Sequence, residues 1–174
     1  MPTIINRTSV SDDKLARIVR FLGRRLPAVT ETAIVFETTD PKAPGAAWMT
    51  GEAHPGGGWF AGHRQRHSSV IYIPTLERPY PVTIQNPAAD GRCPWETLTD
   101  WEEELLLVLA HELTHVAQYE MAGANLLDVV HDVDDEYELE AAQVASKMLS
   151  EWRTRESGQH KKIRKADNVY ETVA

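Results

Sequence analysis

His111 and His115 stand four residues apart in the run Ala110-His111-Glu112-Leu113-Thr114-His115-Val116-Ala117-Gln118, with Glu112 between them. On an α-helix, residues four apart lie nearly above one another, so two imidazoles at this spacing reach a single ion. Zn²⁺ suits such a pair because it takes nitrogen and oxygen ligands in a tetrahedral arrangement at about 2.0–2.2 Å. Glu112 lies about 100° around the helix from His111, which keeps it beside the ion rather than on it. A carboxylate so placed takes a proton from an attacking water and passes it to a leaving amine. The pattern H-E-x-x-H therefore implies metal-assisted hydrolysis, with His111 and His115 as ligands and Glu112 as general base, then acid. The apolar run Leu105 to Ala110 marks this helix as buried. Two imidazoles and a carboxylate inside a buried helix need partners, and a metal supplies one.

A third ligand must come from elsewhere in the chain. A metzincin pattern needs a glycine and a third histidine where Gln118 and Met121 stand, so that arrangement is excluded. Asp128 and Asp132 offer aspartate ligands without a supporting motif. The run Glu138-Leu139-Glu140-Ala141-x-x-x-Ala145 resembles the E-x-E-A-D-x-x-A element of gluzincins, including the CAAX-prenyl protease class, phage-type antirepressor peptidases and minigluzincins. The resemblance implies that Glu138 binds the metal and that an aspartate four residues on steadies a ligand histidine. Ala142 occupies that aspartate position, so the supporting partner comes from elsewhere. Asp134, Asp135 and Glu140 are the candidates. Glu140 also stays open as the ligand in place of Glu138. Two residues apart on a helix, they face different sides, and only one can serve. Over about Val108 to Ala145 the wording is also similar to the peptidase domain associated with extracellular contractile injection systems. Taken together, the resemblance implies a zincin-like zinc endopeptidase acting on a peptide or protein substrate. The rival readings are a catalytically inactive zincin-fold binding module and a metal-bearing toxin or effector with a non-peptide target.

Peptide hydrolysis needs a donor for the developing oxyanion. Tyr137, next to Glu138, is the first choice; Tyr119, His131, His54, His63 and His67 are the others.

The elements that must position these groups read as α+β. Ser11 to Leu26 forms a first helix, with Ser11 as N-cap, Asp12 and Asp13 at its positive end and Leu15, Ile18, Val19 and Leu22 as its apolar stripe. Strands are expected at Thr32–Thr38, Ala46–Met49, Ser68–Pro74 and Val82–Ile84, with Pro55-Gly56-Gly57-Gly58 in a loop. The active-site helix starts from Thr99 as N-cap with Glu102 closing a capping box, and runs to about Met121. The glutamate helix starts at Asp134 or Asp135 and runs to about Arg155. The expected architecture is an N-terminal helix on a small twisted, mostly antiparallel sheet, followed by these two helices. One zincin-like domain then covers residues 1–156, with a basic tail over 157–174. Val70 to Ile73 is the strand expected at the edge of the cleft, where an extended substrate would join it.

Composition bounds the partners. A net charge of -8 repels phosphate backbones, so nucleic acid is not expected. The longest apolar run is too short for a bilayer, and the first residues carry no secretory signal, so the expectation is a cytoplasmic chain without membrane contact. Cys93 is the single cysteine, which excludes an internal disulfide and a Cys-rich zinc knuckle. Glu102-Glu103-Glu104 reads as a solvated acidic face at a helix start. Lys161, Lys162, Arg164 and Lys165 give the tail a charge that suits an acidic cleft, which makes the tail a candidate inhibitor of its own site.

Overall fold

The computed structural model describes residues 3–26, 33–38, 52–54, 59–60, 63–64, 70–75, 79–84, 92, 95–122 and 135–170. The strand expected at Ala46–Met49, the Pro55–Gly58 loop, Cys93, Asp128, Asp132 and Asp134 lie outside them. The elements are β1 (Thr3–Arg7), α1 (Asp12–Gly23), β2 (Ala33–Thr38), β3 (Glu52–His54), β4 (Trp59–Phe60), β5 (His63–Arg64), β6 (Val70–Thr75), β7 (Val82–Ile84), β8 (Glu96–Leu98), α2 (Trp101–Ala122) and α3 (Asp135–Tyr170). The α+β expectation holds at this level.

The main sheet has the order β1-β2-β6-β3. β1 pairs with β2 in parallel, β2 with β6 in parallel, and β3 runs antiparallel to β6. The expectation of a mostly antiparallel sheet is therefore corrected for these four strands, although the small β4–β5 and β7–β8 ladders are antiparallel. The reason lies at the N-terminus. Thr3–Arg7 forms a strand that sequence reading missed, and α1 then serves as the crossover that parallel neighbours require. Val70–Ile73 is also corrected: β6 lies inside the sheet, and among the described residues β1 and β3 are the edge strands.

α1 begins at Asp12 after Ser11, whose backbone carbonyl accepts from Lys14 and Leu15 although its hydroxyl makes no capping bond. Leu15, Ile18, Val19, Phe21 and Leu22 of α1 are buried with Ile34 and Phe36 of β2 and Leu98 of β8. The same core takes Leu105, Leu106, Leu109, Ala110, Leu113 and Val116 from α2 and Ala145, Met148, Leu149 and Trp152 from α3. On both helices these positions recur at three and four residues, one face of an α-helix. Phe21 and Trp152 meet edge to face, with centroids 5.1 Å apart, and join α1 to α3. No helix among the described residues is long and apolar enough to cross a membrane.

α2 starts one residue later than the expected cap. Asp100 caps it, accepting from the Glu103 amide at 3.0 Å, while Glu103 Oε2 accepts from the Thr99 amide at 2.8 Å. The arrangement differs from the expected capping box: Asp100 is the cap in place of Thr99, and Glu103 in place of Glu102 reaches back to the Thr99 amide, one residue before the cap. Nor are the three glutamates a solvated face. Glu102 pairs with Arg17 of α1, Glu104 accepts from the Tyr80 hydroxyl, and Glu103 accepts from Arg153 of α3 at 2.8 and 2.7 Å. Glu103 and Glu104 are buried. For Glu103 the helix start and these donors offset the loss of water. Since Glu103 near the start of α2 meets Arg153 far along α3, the two helices run antiparallel.

The second difference is at the C-terminus. The helix expected to end near Arg155 continues to Tyr170, so residues expected as a tail extend α3. The stretch contains no proline, so nothing in it breaks the helix.

Burial by itself would raise the Glu103 carboxyl, but hydrogen bonds from Arg153 and Thr99 and the guanidinium charge outweigh it and hold the carboxyl below its ordinary value. A carboxyl depressed in the folded state stabilises the fold above its unfolded pKa, and that contribution disappears as pH falls through the folded value. Glu103→Gln is expected to lower stability at pH 7 by about 1–3 kcal/mol, less than for a fully buried pair because Arg153 is partly exposed. The gap from the unmodified chain should narrow toward pH 3; urea melts at the two pH values check both statements.

Candidate metal centre

His111, His115 and Gln118 lie on one stripe of α2, at spacings of four and three residues. The stripe faces the start of α3. The two rings sit edge to face with centroids 4.6 Å apart, and their Nε2 atoms are 2.9 Å apart. Glu138 arrives from α3 and addresses both: its Oε2 is 3.3 Å from His111 Nε2 and its Oε1 is 3.2 Å from His115 Nε2. All three side chains are about one-fifth exposed, so the cluster is screened from bulk water yet reachable from it.

What lets α3 come this close is the size of its neighbours. Ala141, Ala142 and Ala145 are buried on the face that follows Glu138, and Ala110 is buried on α2. Small residues at a helix contact shorten the distance between axes. Ala142, where the gluzincin element has an aspartate, is instead packed against Leu139.

The donor set fits a divalent cation. His111, His115 and Glu138 each offer one ligand atom, all within 4.8 Å of one another, and the group can hold a metal ion. Tetrahedral bonds of about 2.0–2.2 Å place ligand atoms about 3.3–3.6 Å apart. The histidine–glutamate separations of 3.3 and 3.2 Å lie at the lower end of that span, and the 2.9 Å between the imidazoles is a few tenths short of it, which small side-chain rotations supply. Three atoms bearing lone pairs and directed at one point repel one another unless a proton or a cation lies between them.

Glu112 is 8% exposed and is not part of that group; its charge acts on His115. Glu140 is exposed and accepts at 2.9 Å from Gln118 Nε2 rather than joining the cluster. The choice between the two glutamates is thus made by the rotation of α3, which brings Glu138 and not Glu140 onto the imidazoles. Tyr137 enters the hydrogen-bond network through its backbone carbonyl, which accepts from Gln118 Nε2 at 3.1 Å. The side chains of Tyr119, His54 and His63, and all of His67 and His131, lie outside the described residues.

Gln118 was not singled out by sequence reading. Its Oε1 lies 2.9 Å from His115 Nδ1, and it is buried. The available signal was its position three residues after His115 on the histidine stripe. The basic residues 161–165 begin 23 residues beyond Glu138 in the same helix. That is about 35 Å along the axis, so a tail lying in the site requires α3 to break.

Comparison with protein-family models, with curated proteins and with solved structures finds no match to this chain.

Hydrogen bonds from His111 and His115 hold the Glu138 carboxyl far below the usual carboxylate range, against its partial burial. Burial alone would depress His115; the hydrogen bond and charge of Glu138, with smaller help from Gln118 and Glu112, override it and push His115 up. In the metal-free chain the Glu138 contribution is present above the ordinary carboxylate value of about 4.3 and lost as pH falls through the depressed value. The His115 contribution is fully present below about 6.5 and lost as pH rises through the raised value. Stability measured by melts in chelator is expected to peak between these limits. Glu138→Gln should flatten the peak; a peak of unchanged height in that variant would contradict the pairing.

Proposed function

We propose that this chain is a zinc-dependent peptidase of zincin-like, gluzincin type, with His111, His115 and Glu138 as the metal ligands and Glu112 as general base. One observation carries the reading. A carboxylate from a second helix meets both imidazoles of the H-E-x-x-H pair, while the motif's own glutamate stays outside the ligand group. Binding a metal does not by itself require that glutamate.

Zinc bound at these residues supplies a Lewis acid that polarises a carbonyl and makes water a stronger nucleophile at neutral pH. The remaining work belongs to the chain. Two histidines and one carboxylate are three protein ligands, the number that leaves a fourth position for reactants. Glu112, buried one residue past His111, accepts the proton of the attacking water and delivers it to the leaving amine. Tyr137 is the proposed oxyanion donor, one residue ahead of Glu138. A peptide substrate is favoured by the sheet. β3 packs beside α2 and, among the described residues, has one unpaired edge, where an extended chain can add as a further strand.

Zinc analysis and peptide-library cleavage on the purified chain test the assignment. The unmodified chain should bind one zinc and cleave, with activity removed by chelator and restored by zinc. Glu112→Gln should retain the metal and lose about 10²–10⁴ in kcat. Glu138→Gln should lose the metal itself. A chain that binds zinc but serves its role equally well as Glu112→Gln is a binding module, and a chain that takes up no zinc is neither.

A further inference from the structure

Gln118 makes three polar contacts at once. Its Oε1 faces His115 Nδ1 at 2.9 Å; its Nε2 faces the Tyr137 carbonyl oxygen at 3.1 Å and Glu140 Oε2 at 2.9 Å. The two ends of a carboxamide are chemically opposite, since only the NH₂ donates and only the oxygen accepts. A backbone carbonyl and a carboxylate can only accept. They therefore require the NH₂ to point at α3, and turning the amide over would set its oxygen against two other oxygens in a buried place. With that direction set, the amide oxygen faces His115 and can only accept. In the neutral ring Nδ1 of His115 must carry the hydrogen, which leaves the Nε2 lone pair on the side of His111 and Glu138; the Nε2–H that meets Glu138 belongs to the charged ring.

Resting on the metal reading of the same site, we propose that Gln118 is a positioning residue that holds His115 in the Nδ1–H tautomer with Nε2 open to the metal, and that Glu140 and the Tyr137 carbonyl set the direction of the Gln118 amide. α3 thus supplies two things to the site: a ligand, Glu138, and the pair of acceptors that orient the partner of another ligand. Glu140, two residues from Glu138 and on a different side of the helix, acts through Gln118 and touches no reacting group.

A carboxylate at position 118 would accept from His115 equally well and would not need Glu140; with the exposed Glu140 side chain removed, its second oxygen can turn to solvent, away from the Tyr137 carbonyl. That separates this role from a simple clamp between α2 and α3. Zinc affinity is read by competition with a chromophoric chelator on the full chain, and melts of the metal-free forms report folding. Loss of such a partner commonly weakens metal binding about 10–100-fold, the range expected for Gln118→Leu, whereas Gln118→Glu combined with Glu140→Ala should stay within about threefold of the unmodified chain. A clamp would leave both variants equally weak. Equal weakness, or undiminished affinity in Gln118→Leu, overturns the proposal. ¹⁵N NMR of the metal-free unmodified chain, above the pH at which its imidazoles titrate, gives an answer that needs no variant to fold. Hydrogen on Nδ1 of His115 is the expected result, and hydrogen on Nε2 overturns it. If the unmodified chain takes up no zinc, the metal reading fails on its own and the tautomer still decides the role of Gln118.

Discussion

The approach of α3 to α2 is the constraint on which the rest of the molecule depends. Two imidazoles on one helix cannot make a three-ligand site; a carboxylate must reach them from outside that helix, across a distance set by whatever lies between the two axes. Here Ala141, Ala142 and Ala145 follow Glu138 on one face of α3 and are buried. Each larger side chain in that seam would push Glu138 away from the histidines, and each polar one would enter a dry contact without a partner. The apolar stripes of Leu105, Leu109 and Leu113 on one side and Met148, Leu149 and Trp152 on the other supply the burial that holds the seam shut.

Polar contacts at the two ends fix how the antiparallel pair is aligned. At the start of α2, Glu102, Glu103 and Glu104 are joined to Arg17, Arg153 and Tyr80, so one helix turn is tied to α1, to α3 and to the segment before β7. At the far end, Gln118 is joined to His115, the Tyr137 carbonyl and Glu140. Hydrophobic burial is non-directional and would tolerate a slip along the axis. These hydrogen bonds would not, because a slip of one turn leaves buried carboxylates unpaired. The site therefore inherits its alignment from charges more than two turns away. Where the gluzincin element has an aspartate, Ala142 packs against Leu139, and the partner that meets His115 is Gln118 of α2 itself.

Much of this was readable from the residues. The helix carrying His111 and His115 came within a residue of its observed bounds, as did the strands at Ala33–Thr38 and Val82–Ile84, because each follows from short-range periodicity and capping chemistry. Glu138 was reached through a resemblance, and the competing Glu140 could not be dismissed by spacing. β1 escaped notice because Thr3–Arg7 is short and shows no clean alternation, and with it went the parallel pairing that α1 makes possible. The acidic run at 102–104 was taken for a solvated face because a list of residues shows charges and not the cations that meet them.

The line between the two sources is the line between local and distant contacts. That two imidazoles share a face, that Glu112 stands aside from them, that an apolar stripe marks the first helix and that an apolar run buries the active-site helix were determined by the sequence, since helix geometry repeats over a single turn. Which glutamate turns toward the histidines, which side chain holds His115, whether strands run parallel and where each buried carboxylate finds its donor were decided only by tertiary structure. Those outcomes depend on the rotation and axial position of one element against another, quantities that packing of the whole core sets and that no stretch of neighbouring residues contains.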